Sequence, residues 1–130
     1  MATWREFQER VRREYTLDVD EDDEFALTIT RRDGEVERAQ RVIVHHFSAW
    51  GRSMVEFRSA FGELGDYKPA SLLANNLHLP LGAIACHGRF LVLVHKACLE
   101  DLSIDASVFL LTRISLLADK LEGRRGGDRF

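Results

Sequence analysis

At 130 residues the chain can bury one sizeable core, and no visible linker divides it into two domains. Its 45% hydrophobic and 30% charged composition is that of a globular protein, and a net charge of −3 argues against a sequence-independent hold on phosphate backbones, so nucleic acid is not an expected partner. The opening residues carry charge throughout and lack the apolar core of a signal peptide. No stretch approaches the roughly 18 apolar residues of a membrane span, and a cytoplasmic protein with no membrane span is expected. Cys86 and Cys98 are too few for a disulfide framework and form no Cys-x-x-Cys pair, so both read as small buried hydrophobes.

Thr3 followed by Glu6 makes a capping box, after which Trp4, Phe7 and Val11 recur at helical spacing and Glu6/Arg10 and Glu9/Arg13 face outward as pairs. Phe25, Leu27 and Ile29 then alternate with Ala26, Thr28 and Thr30, and Asp33-Gly34 supplies a tight turn into an extended run over 36–47. Beyond a turn at 48–53, Val55, Phe57 and Ser59 predict a third strand, which Gly62 and Gly65 end before Pro69. Pro69 suits the first turn of a short helix that carries Leu72, Leu73, Asn76 and Leu77 and stops before Pro80. A hairpin over 82–87 and 90–95 follows, turning at Gly88.

The last helix, capped by Ser103 or Asp105, shows an apolar stripe of Ile104, Val108, Leu111, Ile114, Leu117, Ala118 and Leu121, with Arg113, Asp119, Lys120 and Glu122 on the remainder. Gly123, Gly126 and Gly127 end it. The predicted order is α-β-β-β-α-β-β-α, an α+β fold whose antiparallel sheet is packed with helices on one face. Residues 1–123 form the expected single domain, and 124–130 a flexible charged tail.

The second hairpin carries apolar residues on both alternating faces, with Ile84, Phe90, Val92 and Val94 assigned to one and Ala83, Ala85, Leu91 and Leu93 to the other. Helices of so small a domain cover one face, and something else must cover the second. No pattern of catalytic chemistry accompanies this surface. Asp18, Asp20 and Asp22 imitate the start of a calcium loop, but Asp23 stands where that loop needs glycine and Ile29 where it needs its closing glutamate. A solvated acidic turn is the expected reading.

His45 and His46 are adjacent in a strand and point to opposite faces, while His87 and His95 lie too far apart along theirs to share a metal. No Gly-x-Ser-x-Gly segment or phosphate-binding glycine loop occurs. No enzymatic activity, cofactor or metal is therefore expected. Arg31, Arg32, Arg38 and Arg41 flank the first hairpin, where charge protects strand edges from unwanted pairing; a basic patch for an acidic partner is the second reading.

Several ordered segments carry a resemblance: Arg31-Arg32-Asp33-Gly34 leading to Gln40-Arg41-Val42, Phe57-Arg58-Ser59 before Phe61-Gly62, Leu72-Leu73-Ala74-Asn75-Asn76, and Ala118-Asp119-Lys120-Leu121-Glu122 before Gly126-Gly127-Asp128-Arg129-Phe130. In these segments and in its element order the chain resembles the type III secretion chaperone-like proteins, and within them the YbjN-like group labelled sensory transduction regulators. The resemblance implies a homodimer without enzymatic activity, whose apolar patches on the sheet and first helix hold an extended segment of a client protein. The corresponding candidate contacts are Trp4, Phe7, Phe47, Trp50 and Phe57. A twin subunit is expected to cover the second hairpin through Leu72, Leu73, Leu77, Ile84, Val92 and Val94. The alternatives are a regulatory adaptor that binds a folded partner and a small enzyme or metal protein built from His45, His46, His78 or Asp66.

Overall fold

The computed structural model describes residues 2–123. In chain order its elements are α1 (Trp4–Glu14), β1 (Leu17–Asp20), β2 (Glu24–Asp33), β3 (Val36–Ala49), β4 (Arg52–Glu63), α2 (Pro69–Asn76), β5 (Ala83–His87), β6 (Phe90–Cys98) and α3 (Ile104–Gly123). The strands form one six-stranded antiparallel sheet in the order β1-β2-β3-β4-β6-β5, so the fold is α+β. The tail at 124–130 lies outside the described residues.

One strand more is present than the sequence pattern predicts. The supposed acidic turn contains β1, in which half-buried Leu17 and Val19 alternate with exposed Asp18 and Asp20, pairing with β2 through a register shift. A four-residue strand rich in aspartate carries little β-propensity of its own; it forms because α1 pins it. Arg12 donates two hydrogen bonds of 2.7 Å to the Asp20 carboxylate, and Gln8 donates to Asp20 Oδ1 and to the Glu21 carbonyl at 2.8 Å. Those arginine bonds hold the Asp20 carboxyl below its ordinary range, against a smaller opposing effect of burial.

The capping box forms as expected, with Thr3 and Glu6 bonded reciprocally. Glu6 is thereby engaged, and Arg10 turns instead to Glu14 and to Asp105 on α3. Ser103 caps α3, its Oγ accepting from the Ala106 amide at 3.0 Å.

Phe25, Leu27, Val42, Val44, Val55, Phe57, Leu91 and Leu93 line one face of the sheet and pack with Trp4, Phe7 and Val11 of α1 and Leu111, Ile114, Ala118 and Leu121 of α3. Phe7 sits edge-on to Phe25 at 5.5 Å, within the range at which aromatic quadrupoles favour a T-shaped pair. Both helices therefore cover the same face, while α2 lies against the β5 edge.

Two side chains assigned by pattern to the outside of α3, Asp119 and Glu122, are each only 2% exposed. Asp119 accepts from Arg31 Nη2 at 2.6 Å and Arg38 Nε at 2.9 Å, tying α3 to the β2-β3 hairpin. A carboxylate so buried is tolerated because two guanidiniums donate to it. Arg31 and Arg38 accordingly neither guard an edge nor form a basic patch. The real edge on that side is β1.

β4 also differs from expectation, running through Gly62 to Glu63 instead of stopping before it. A bulge between Ala60 and Gly62 shifts its register against β6, and the Tyr67 ring fills the space beside it: a Cβ on Gly62 would meet Tyr67 Cε1 at 2.8 Å. Gly62 thus permits a close approach inside a strand.

The second hairpin turns as predicted, with His87 opposite Phe90 and Gly88 at φ +62°. That register places Ile84 opposite Leu93 and Cys86 opposite Leu91, on the helix-covered face; Ala83, Ala85, Phe90, Val92 and Val94 share the other. The predicted faces of Ile84, Ala83 and Ala85 relative to β6 are therefore reversed, because a two-residue turn makes directly opposed residues share a side. Cys86 at the β5 edge is exposed and Cys98 half-buried, so neither is a core thiol. On α2, Leu72 is buried but Leu73, and Leu77 just past the helix end, are 71% and 84% exposed, one short helix having room for a single leucine against the sheet.

Candidate functional site

The sheet face opposite the helices carries a groove of about 260 Å³ lined by Arg41, Ile43, Arg58, Ala60, His87, Phe90 and Val92. Four strands build it. Arg41 and Ile43 come from β3, Arg58 and Ala60 from β4, Phe90 and Val92 from β6, and His87 from β5. Strand alternation sets the side: Phe57 and Ser59 point into the core, so Arg58 and Ala60 point away from it.

The groove opens where regular pairing between β3 and β4 ends. Their register runs from Ala49 opposite Arg52 to Ile43 opposite Arg58. Beyond it, side chains replace ladder bonds. Ser59 Oγ donates to the Arg41 carbonyl at 2.6 Å, and buried Gln40 Nε2 donates to Ser59 Oγ at 2.8 Å and to the Ala60 carbonyl at 2.7 Å. Backbone carbonyls released by the parting strands stay satisfied from the core side, which leaves the opposite side free to form a hollow.

The floor is apolar and the rim basic. Ile43, Ala60, Phe90 and Val92 provide the floor, and Val92 is already 6% exposed among its neighbours. On the rim, Arg58 Nη1 lies 3.3 Å from His87 Nδ1, which is a hydrogen bond when that nitrogen is bare and accepts. Glu56 approaches Arg58 Nε at 3.7 Å and Lys96 Nζ at 3.8 Å, while Asp18 approaches Arg41 Nε at 3.4 Å. These carboxylates flank the groove without lining it. Arg89 stacks over the Phe90 ring at 4.9 Å at the hairpin end, with Glu63 4.0 Å from its Nε.

The candidate contacts read from the sequence do not assemble on this surface. Trp4, Phe7 and Phe57 are core residues, Trp4 stacking on His46 at 5.2 Å and donating from Nε1 to the Asp22 carbonyl at 2.7 Å. Phe47 lies half-buried on the uncovered face but outside the groove lining, stacked beside His45 at 6.1 Å. Trp50, at the tip of the β3-β4 hairpin, is 92% exposed and adopts φ +52° beside Gly51 at φ +71°. Both residues of that turn therefore lie in the left-handed region that a two-residue hairpin demands.

The six candidate interface residues divide three ways. Leu72 and Ile84 join the core, Leu73 stands exposed on α2 and Leu77 just past its end, and Val92 and Val94 belong to the uncovered sheet face. A second, smaller hollow of about 150 Å³ lies between α2 and the β5-β6 hairpin, lined by Leu64, Pro69, Leu72, Leu73, Ala85 and Cys86 among others.

Ile43, Arg58 and Ala60 escaped the sequence reading, although their parity against Val42, Phe57 and Ser59 carries the signal. Arg41 is legible as an edge charge and, on the second reading, as one member of a basic patch for an acidic partner. Among the described residues, no three His, Cys, Asp or Glu side chains converge as a metal site, and no helix is long and apolar enough to cross a membrane. Compared with protein-family models, curated proteins and solved structures, the chain matches none.

Proposed function

We propose that this protein is a non-enzymatic protein-binding module, resembling type III secretion chaperones in its role, that holds a segment of a partner protein and works as a homodimer. The observation that carries this reading is the apolar groove on the uncovered sheet face, floored by Ile43, Ala60, Phe90 and Val92. Covering such side chains contributes about 1.5 to 3 kcal/mol for each large one fully buried, so a few suffice for micromolar affinity after the cost of ordering the partner. Twofold assembly is supported separately by Leu73 and Leu77, exposed beside the hollow between α2 and the β5-β6 hairpin. On this reading client and twin subunit use different surfaces. The first helix, whose large rings are buried, takes no part in holding the client.

Reduced and carboxymethylated lactalbumin, a permanently unfolded chain, provides a direct test. The native protein is expected to retain it, and Ile43→Glu to weaken retention at least tenfold while far-UV circular dichroism and melting temperature stay unchanged. Failure of the native protein to retain the unfolded chain overturns the binding role. Light scattering at micromolar concentration is expected to give two copies for the native protein and one for Leu73→Asp; a native monomer overturns the twofold assembly.

A further inference from the structure

We infer that the groove selects an extended peptide segment in which acidic side chains sit beside apolar ones. This deepens the proposed protein-binding function and rests on it. The chain as a whole is acidic, at −3, yet among the described residues the groove lining contains two arginines, Arg41 and Arg58, and no carboxylate. The two guanidiniums thus stand on the groove itself, around a floor that contributes no competing polar group, while their acids, Asp18 and Glu56, lie outside its lining.

Arg58 is the center of this selection. Its side chain is only 26% exposed, so a carboxylate that reaches it exchanges water for a partly covered, charge-assisted hydrogen bond. Its present neighbours, Glu56 at 3.7 Å and His87 at 3.3 Å, are long contacts that leave donors of the guanidinium for an incoming acid. Arg41, on the neighbouring strand, holds its own acid Asp18 at 3.4 Å and offers a second donor fork on the same rim.

The geometry also favours a segment lying across the sheet face over one added as a further strand. At the β5 edge, the Asn76 side chain occupies the backbone of Ile84: Oδ1 accepts from its amide at 2.6 Å, and Nδ2 donates to its carbonyl at 3.4 Å. An arriving strand would have to displace that amide. The groove instead crosses four neighbouring strands, a span of about 14 Å that matches about four residues of extended peptide. Every second side chain of such a segment faces the sheet, so apolar residues at those positions reach the floor and an acidic residue that takes one of them reaches Arg58 or Arg41.

Fluorescence anisotropy with labelled ten-residue peptides tests the selection. The probes are built from repeats of Leu-Ser-Glu-Ser (Leu-Glu), Leu-Ser-Lys-Ser (Leu-Lys) and Ser-Ser-Glu-Ser (Ser-Glu), which carry the named residues on one side of an extended chain. The expected result is binding of Leu-Glu at least tenfold tighter than either control, weakened at least fivefold by Arg58→Gln or Arg41→Gln and by raising the salt concentration. Leu-Lys binding as tightly as Leu-Glu overturns the acid selection and leaves the protein-binding role standing. Retention of unfolded lactalbumin without binding of any peptide likewise overturns the inference alone, whereas loss of both overturns the two together. Conversion of a native dimer to a monomer by Ile43→Glu would show that a second copy occupies the groove, and would also overturn it.

Discussion

Phe57 and Arg58 are neighbours on β4 whose side chains serve opposite faces of one sheet. Phe57 is fully buried against the ring of Phe7, at 6.1 Å, whereas Arg58 stands at the rim of a groove with long, exchangeable contacts. The covered face is specified by close packing, where each side chain is held by many neighbours at once. The uncovered face carries the same kinds of apolar residue, but among the described residues α1 and α3 both pack on the other side. A sheet with both faces apolar and helices on one is therefore stable through one side and available through the other.

The difference can be broken first by truncation. Phe57→Ala is expected to cost about 4 kcal/mol through lost burial and a cavity, while Ile43→Ala on the other face costs about 1 kcal/mol, both read from the midpoint of urea denaturation. Equal losses would mean that the uncovered face is packed as well. Next in size, Asp119→Asn should cost about 3 kcal/mol, because it leaves Arg31 and Arg38 without the buried charge they share; Arg41→Gln, on the open face, should stay within about 0.5 kcal/mol of the native chain.

The smallest effect expected concerns pH. Burial depresses His95 below its ordinary value, so the unfolded chain takes up the proton first as pH falls. The stabilising contribution is present above the ordinary pKa of about 6.5 and is lost as pH falls from there through the folded value. His95→Gln is expected to flatten melting temperature against pH across this interval. An unchanged slope would place the pH response elsewhere.

Local chemistry made much of this architecture legible. The Thr3-Glu6 box, the turn at Gly88 and the Ser103 cap each depend on a few adjacent residues and form where the pattern places them, while the first hairpin turns one residue beyond the Asp33-Gly34 pair, at Gly34-Glu35. What escaped depends on residues far apart in the chain. β1 needs Arg12 and Gln8 of α1, and the burial of Asp119 needs arginines 88 and 81 positions away. The faces of the second hairpin needed its register, since a slip of one residue exchanges them. The groove was the least legible feature. Its lining is spread over four strands, and it opens because Gln40 and Ser59 take over from the β3-β4 ladder, a substitution that neither residue announces by type.

The two tryptophans give the molecule a pair of native optical reporters. Indole emission follows the polarity around the ring, and Trp50, 92% exposed at a hairpin tip, remains in water with or without the fold. Trp4 is sheltered between Phe25 and His46, with ring centroids at 5.3 and 5.2 Å, only while α1 stays docked. A soluble quencher such as iodide therefore silences Trp50 first and leaves a signal whose color reports the seating of the first helix. Docking of that helix can be followed without attaching a dye to the chain.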